Sequence, residues 1–227
     1  MKTIAPQKTN EQLQQDVEDA IKWEPALHAA EIGVTVKSGI VTLTGTVNKY
    51  QKKMQAEEAA KNVAGVLAVV EKIEIRYANS DSKTDFDIAQ AVIKALGESW
   101  NIPPDRLKVK VENGDVYLSG TLPWDYQRQA AKRLVEHVDG IKALVCSVKI
   151  ESEVAEEIEK QKVIDALFRH ASINPTNISV EVSGSNITLK GTVSTLYQKE
   201  EAAKIAWKTP GVSQVDNQLK IYYDIYM

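Results

Sequence analysis

The chain has little with which to build a catalytic or metal centre: one cysteine, three histidines and two phenylalanines in 227 residues. A single cysteine, Cys146, excludes an intrachain disulfide and any Cys-x-x-Cys pair. His28, His137 and His170 are widely spaced and form no His-Glu-x-x-His pattern, so neither a metal site nor a cofactor nor an enzymatic activity is expected. Without a paired base, Cys146 reads as a half-exposed thiol rather than a nucleophile. No apolar run approaches the length of a membrane span. The opening MKTIAPQKTN contains no leader-like apolar core, so the chain as written is expected in the cytoplasm, or in the periplasm if a leader was removed.

An excess of one charge is missing too. The formal net charge is -3, and residues 12–77 carry 8 basic and 9 acidic side chains, 85–150 carry 9 and 9, and 158–227 carry 8 and 7. Such balance excludes the concentrated basic footprint of nonspecific phosphate binding, and no nucleic-acid partner is expected. Most of the acid excess sits in ESEVAEE, between the second and third of these segments. With 43% hydrophobic and 26% charged residues, the composition is that of a folded globular chain rather than a disordered one.

What the chain does have is internal repetition. VTLTGTV at Val41–Val47 returns as VYLSGTL at Val116–Leu122 and as ITLKGTV at Ile187–Val193. Gly45, Gly120 and Gly191 keep the same two offsets as Gly65, Gly140 and Gly211, which identifies a three-fold tandem repeat. Three domains are expected, at 12–77, 85–150 and 158–223, each large enough for one modest core.

Within each repeat, apolar alternation flanks a two-residue loop: Ser38-Gly39, Asn113-Gly114 or Gly184-Ser185. These loops suit type I′ and II′ hairpin turns, and they set a register. Val36 then faces Val41, Val109 faces Leu118 and Val180 faces Leu189, all on one buried face. Gly45, Gly120 and Gly191 share that face, opposite Ile32, Leu107 and Ile178. A side chain missing there three times suggests a helix backbone crossing too closely for a Cβ.

Val17, Ala20 and Ile21, with their equivalents, form a helical i, i+3, i+4 stripe upstream of the hairpin. Ala56, Ala59 and Ala60, with theirs, form another downstream. The closing strand carries Ile73, Val148 or Leu219 inward. Each repeat therefore reads α-β-β-α-β: an α+β fold of three small two-layer sandwiches, each a three-stranded sheet covered on one face by two helices.

The G-x-V-x-L-x-G-T-V hairpin, the alanine-rich second helix and the Gly-Val turn into the last strand together resemble the BON (bacterial OsmY and nodulation) domain family. The likeness covers about 200 residues in three copies, with Gly184-Ser185 and Pro210 as small departures in the third. It implies a non-enzymatic bacterial protein linked to osmotic and envelope stress and associated with phospholipid or other membrane surfaces. Members of the family are usually exported.

Recurrence among the copies singles out Lys53, Arg128 and Lys199, one position early in the second helix, following Tyr50, Tyr126 and Tyr197. A cation there opposes the helix dipole. Either the three are stems lying over the core edge with solvated heads, or they join backbone N–H groups in an anion site. The second copy is richest: PWDYQRQAAKR supplies Trp124 and Tyr126 with Arg128, Lys132 and Arg133, interrupted by Asp125, a pattern suited to weak docking on an anionic lipid surface. Trp207 takes a position held by Lys61 and Glu136, so it is expected to contact another domain or a second chain, or else to pack under the C-terminal YYDIYM.

The leading expectation is thus a non-enzymatic protein that binds anionic phospholipid, or an envelope protein. The rival is a protein-interaction or chaperone-like module using strand edges or the uncovered sheet faces. Those faces carry Thr35, Thr42, Thr44, Lys110, Tyr117, Ser119, Glu181, Thr188 and Lys190. ANSDSKTD, Ala78–Asp85, reads as a flexible tether. ESEVAEEIEKQKV reads as helical and continuous with the third repeat's first helix, which would make the second and third domains the stiffer pair.

Overall fold

Hairpin chemistry places the repeated heptapeptide at the centre of each sheet. The computed structural model describes residues 8–27, 32–77, 83–152, 158–170, 173 and 177–222. The first unit comprises α1 (Asn10–Lys22), β1 (Ile32–Lys37), β2 (Ile40–Val47), α2 (Tyr50–Lys61) and β3 (Ala68–Ile75). The second comprises α3 (Asp85–Gly97), a 3-10 turn (Pro104–Arg106), β4 (Leu107–Glu112), β5 (Asp115–Leu122), α4 (Asp125–Glu136) and β6 (Ala143–Ile150). The third comprises α5 (Lys160–Phe168), β7 (Ile178–Ser183), β8 (Asn186–Val193), α6 (Leu196–Trp207) and β9 (Gln214–Ile221). The fold is α+β, with three separate three-stranded sheets.

In every sheet the middle strand pairs antiparallel with the first and parallel with the third. The second helix of each unit makes the crossover that a parallel pair requires. The expected hairpin register holds: Val36 faces Val41, Val109 faces Leu118 and Val180 faces Leu189. Ser38 and Gly39, like Asn113 and Gly114, both have positive φ, as a type I′ turn needs, whereas only Gly184 does in the third loop.

Helix starts follow local capping. Thr9 and Thr84 each form a reciprocal capping box, with Gln12 and Asp87 respectively, and Thr195 accepts from the Gln198 N–H at 3.0 Å. The buried stripes are those the periodicity marks, including Val17 and Ile21, Val92 and Leu96, and Val163 and Leu167. The described part of the ESEVAEEIEKQKV stretch becomes helical only at Lys160, and residues 153–157 lie outside the described residues.

The recurring glycines have a different cause from the one expected. At Gly120 and Gly191 the close approach comes from the chain entering the first strand, not from a covering α-helix. Their φ values are +131° and +122°, and an added Cβ would overlap the carbonyl oxygens of Arg106 and Asn177, the residues just before the neighbouring strands. Gly45, with φ +132°, adopts the same conformation. The middle strand thus bends where the chain entering its partner crosses, and only glycine accepts both the dihedral and the approach.

The three units close on one another in a ring. Tyr50 and Met54, at the start of α2, pack into the second core, and Ile75 packs there as well. Arg128, one turn into α4, covers Trp207 at the end of α6, and Trp207 packs against both the second and third cores. Leu196, at the start of α6, packs back onto the first core, and Glu200 pairs with Lys61 at 2.9 Å. Each interface sets the beginning of one second helix against the end of the next, a head-to-tail contact that closes after three units. Equivalent positions in the three repeats therefore lie on the same side of the ring.

Candidate functional site

Two helix ends meet in the second unit. Trp124 is the N-cap of α4, and its ring lies 6.4 Å from that of Tyr126 at an interplanar angle of 33°. Between them in function is Gln127, which is buried. Its Oε1 accepts from the Trp124 N–H at 3.2 Å, and its Nε2 donates to the Asn101 carbonyl at 2.8 Å. That bridge ties the start of α4 to the exit of α3. It brings Trp100, 95% exposed, to the end of the unit that carries Trp124 and Tyr126.

Sequence reasoning missed Trp100, although a signal existed. Trp23, Trp100 and Phe168 all occupy the exit of a first helix, and all three are exposed in the structure. They stand at different repeat positions, since Trp23 aligns with Glu98, Trp100 with Pro25 and Phe168 with Gly97. A large exposed aromatic near each first-helix exit nevertheless marks that end of the unit as a surface for contact rather than for core packing.

The cations divide into two groups. Arg128 turns inward: its Nε donates to Asp125 Oδ1 at 2.8 Å, a second nitrogen reaches the Val148 carbonyl at 3.4 Å, and its plane covers Trp207. Lys53 pairs with Glu71 at 2.6 Å and donates to the Ile73 carbonyl at 3.3 Å. Lys199 is half-buried, and its carbonyl accepts from Asn217 at 2.6 Å. Glu71, Cys146 and Asn217 share one repeat position, so Lys53 finds an acid there and Arg128 does not; Arg128 takes Asp125 instead. Lys132 is half-exposed and Arg133 exposed on the later turns of α4. Tyr126 and Arg133 are seven residues apart, on one helix stripe and about 10.5 Å along it.

Burial raises the pKa of the Glu136 carboxyl, while Lys132, His137 and Arg133 work in the opposite direction and Glu58 adds to the rise. Glu58 belongs to the first unit, so this end of α4 faces the centre of the ring. Trp207 meets a neighbouring domain of the same chain, and its ring is engaged by Arg128 rather than presented for self-association. Tyr50 and Tyr126 are not equivalent after all: Tyr50 shares its repeat position with Asp125 and Leu196, and it is an interface residue.

Among the described residues no group of three or more His, Cys, Asp or Glu side chains could hold a metal ion. His137 Nδ1 lies 2.6 Å from the Arg133 carbonyl, and His170 Nε2 is 3.9 Å from Glu201. Cys146 is half-buried in β6, and His28 lies outside the described residues. No described helix is long and apolar enough to cross a membrane.

Comparison with known proteins agrees with the repeat. The BON domain model matches residues 9–77, 84–152 and 153–222. The chain is 32% identical over 127 residues to osmotically-inducible protein Y of Escherichia coli (strain K12), a match that spans 54% of this chain and 63% of that protein. Two solved structures of CdsD, a structural protein of the type III secretion system of Chlamydia trachomatis, align over 92% and 95% of the chain at 18% and 17% identity. Those alignments cover 92% and 100% of the CdsD chains, and their TM-scores of 0.26 and 0.25 support no argument about this chain.

Proposed function

Since the chain belongs to the BON-domain family, in three consecutive copies, we propose that it is a non-catalytic protein that associates reversibly with anionic phospholipid in an osmotic-stress or envelope-related role. The partial match to an osmotically inducible protein supports the stress setting. The observation that carries the lipid reading is the Gln127 bridge, which gathers Trp100, Trp124 and Tyr126 at one end of the second unit. Amphipathic rings of this kind favour the headgroup region, and Lys132 and Arg133 on the following turns favour negative charge. Each such cation contributes about 1 kcal/mol near an anionic surface, so the contact is weak and depends on the rings. Trp23 and Phe168, exposed at the first-helix exits of the other two units, offer further points of attachment, which adds avidity.

Vesicle co-sedimentation tests this reading. Binding to anionic vesicles should weaken between low and physiological salt, because exposed charges are screened over about 8–10 Å. Lys132→Gln with Arg133→Gln should reduce the salt-sensitive part, and Trp100→Ala or Trp124→Ala the salt-resistant part. Lys53→Gln and Lys199→Gln should matter less, since Lys53 already faces Glu71. Arg128 is left out of the charge test because its change would disturb the ring. Wild-type protein that ignores anionic vesicles at low salt would sink the proposal. A protein-interaction role would then take first place, favoured by Tyr117 and Val145, which are exposed on the open face of the second sheet.

A further inference from the structure

The cleft between the first helix and the first strand differs between units in a way that one chain can report on itself. In the first unit Glu18 and Lys22 rim it, with 4.0 Å between their charged groups, above Ile32 and Val34. In the second unit the same positions are Ile93 and Gly97 above Leu107 and Val109, and the cleft is an apolar hollow of about 300 Å³. Ile93 is 60% exposed, and Phe86, two turns earlier on α3, is 70% exposed. Their counterparts on α1 are Glu18 and Glu11. An apolar flank has replaced an acidic one on a helix of the same fold.

That flank overhangs an open strand edge. β4 is the outer strand of its sheet. The two-residue Asn113-Gly114 loop makes Glu112 and Asp115 the hydrogen-bonded closing pair, so Lys108, Lys110 and Glu112 bond to β5. The backbone groups of Leu107, Val109 and Val111 therefore point away from the sheet, ready for another strand.

We propose that this edge is a homodimer interface, in which β4 strands of two copies pair antiparallel about a two-fold axis at Lys110 and the α3 flanks meet above them. Charge selects both the occupant and the register. An axis at Val109 would set Lys108 opposite Lys110 twice. An axis at Lys110 sets Lys108 opposite Glu112 twice and Val109 opposite Val111, leaving one Lys110–Lys110 contact. Each Lys110 is already paired to its own Glu112 at 2.8 Å. A strand that complements itself in this way fits an isologous partner. A bilayer is a poor occupant, because the outward peptide groups would be unsatisfied in lipid and Asp85 and Asp87 flank Phe86.

Sedimentation velocity of the full chain at micromolar concentration tests the pairing. The wild type should sediment as a dimer. Phe86→Glu with Ile93→Glu, which places there the acidic residues of the first unit, should give a monomer with an unchanged circular-dichroism spectrum and a melting temperature that no longer depends on protein concentration. Opposed residues at the axis form a non-hydrogen-bonded pair with Cα atoms about 4.5 Å apart, within disulfide reach. Lys110→Cys in a Cys146→Ser background should therefore oxidise to a covalent dimer, while Thr35→Cys, at the matching position of the first unit, should not. A monomeric wild type overturns the proposal. So does a dimer that survives the double glutamate change, equal cross-linking through Thr35→Cys, or a monomer that uses Phe86 and Ile93 to bind vesicles.

Discussion

The guanidinium of Arg128 lies over the Trp207 ring, 4.5 Å from its centroid, and joins the second unit to the third. Beneath it Asp125 is only 5% exposed. The other two interfaces put Tyr50 and Leu196 where this one puts Asp125, so at this position two joints carry a ring or an aliphatic side chain and one a shielded ion pair covered by an aromatic ring. Taking one partner from such a pair leaves a buried charge, which is the costly event.

Arg128→Ala should accordingly lower unfolding free energy by about 3 kcal/mol. Adding Asp125→Leu, the residue type used at Leu196, should recover more than half of it, since no charge is then stranded. Urea unfolding of the three proteins provides the comparison. An Arg128→Ala protein within about 0.5 kcal/mol of wild type, the usual range for surface changes, would mean that the pair is not shielded.

Gly120→Ala should cost more than about 2 kcal/mol, because a Cβ at φ +131° would both strain the backbone and displace the Arg106 carbonyl. Thermal melting monitored in the near ultraviolet would register it. Wild-type stability in this variant would require β4 to enter the sheet by another path.

Burial pushes the Tyr50 hydroxyl up to about 12, helped by the Glu136 and Glu57 carboxylates, while a backbone hydrogen bond at Leu144 acts the other way. The folded state thus favours the neutral ring. Its contribution is complete below the ordinary value of 10.0 and is lost as pH rises through about 12. Between those limits wild type should lose on the order of 2 kcal/mol that Tyr50→Phe does not lose. Unfolding free energies of the two proteins, measured across that window, should diverge; parallel curves would place Tyr50 in water.

Lys61 and Glu200 close the ring between units one and three, which are remote in sequence. Both are partly exposed, so the pair is screened and its coupling should be about 0.5 kcal/mol. Lys61→Glu and Glu200→Lys should each destabilise, and the double reversal should recover that coupling. A coupling of zero in low salt would indicate that the first and third units do not touch there.

How much of this was legible beforehand depends on the range of the interactions involved. Loop chemistry at Ser38-Gly39, Asn113-Gly114 and Gly184-Ser185, with alternation beside it, was enough to determine register, because turn geometry and side-chain period act between near neighbours. The helical stripes around Val17, Val92 and Val163 were readable for the same reason, and the glycine offsets revealed three copies. Tertiary structure alone decided why Gly120 and Gly191 must be glycine: the register placed them opposite Leu107 and Ile178, but the path by which the preceding residues, Arg106 and Asn177, bring their carbonyls over the middle strand is not set by the turn or the alternation. It also decided that Arg128 serves an interface, that Tyr50 and Tyr126 differ in role, and that Gln127 bonds the Asn101 carbonyl, next to Trp100, across 26 residues. Nothing in a local period says which charge will meet which ring. That is set by how three similar units, alike in fold and different at Asp125, Lys61 and Trp207, come to rest against one another.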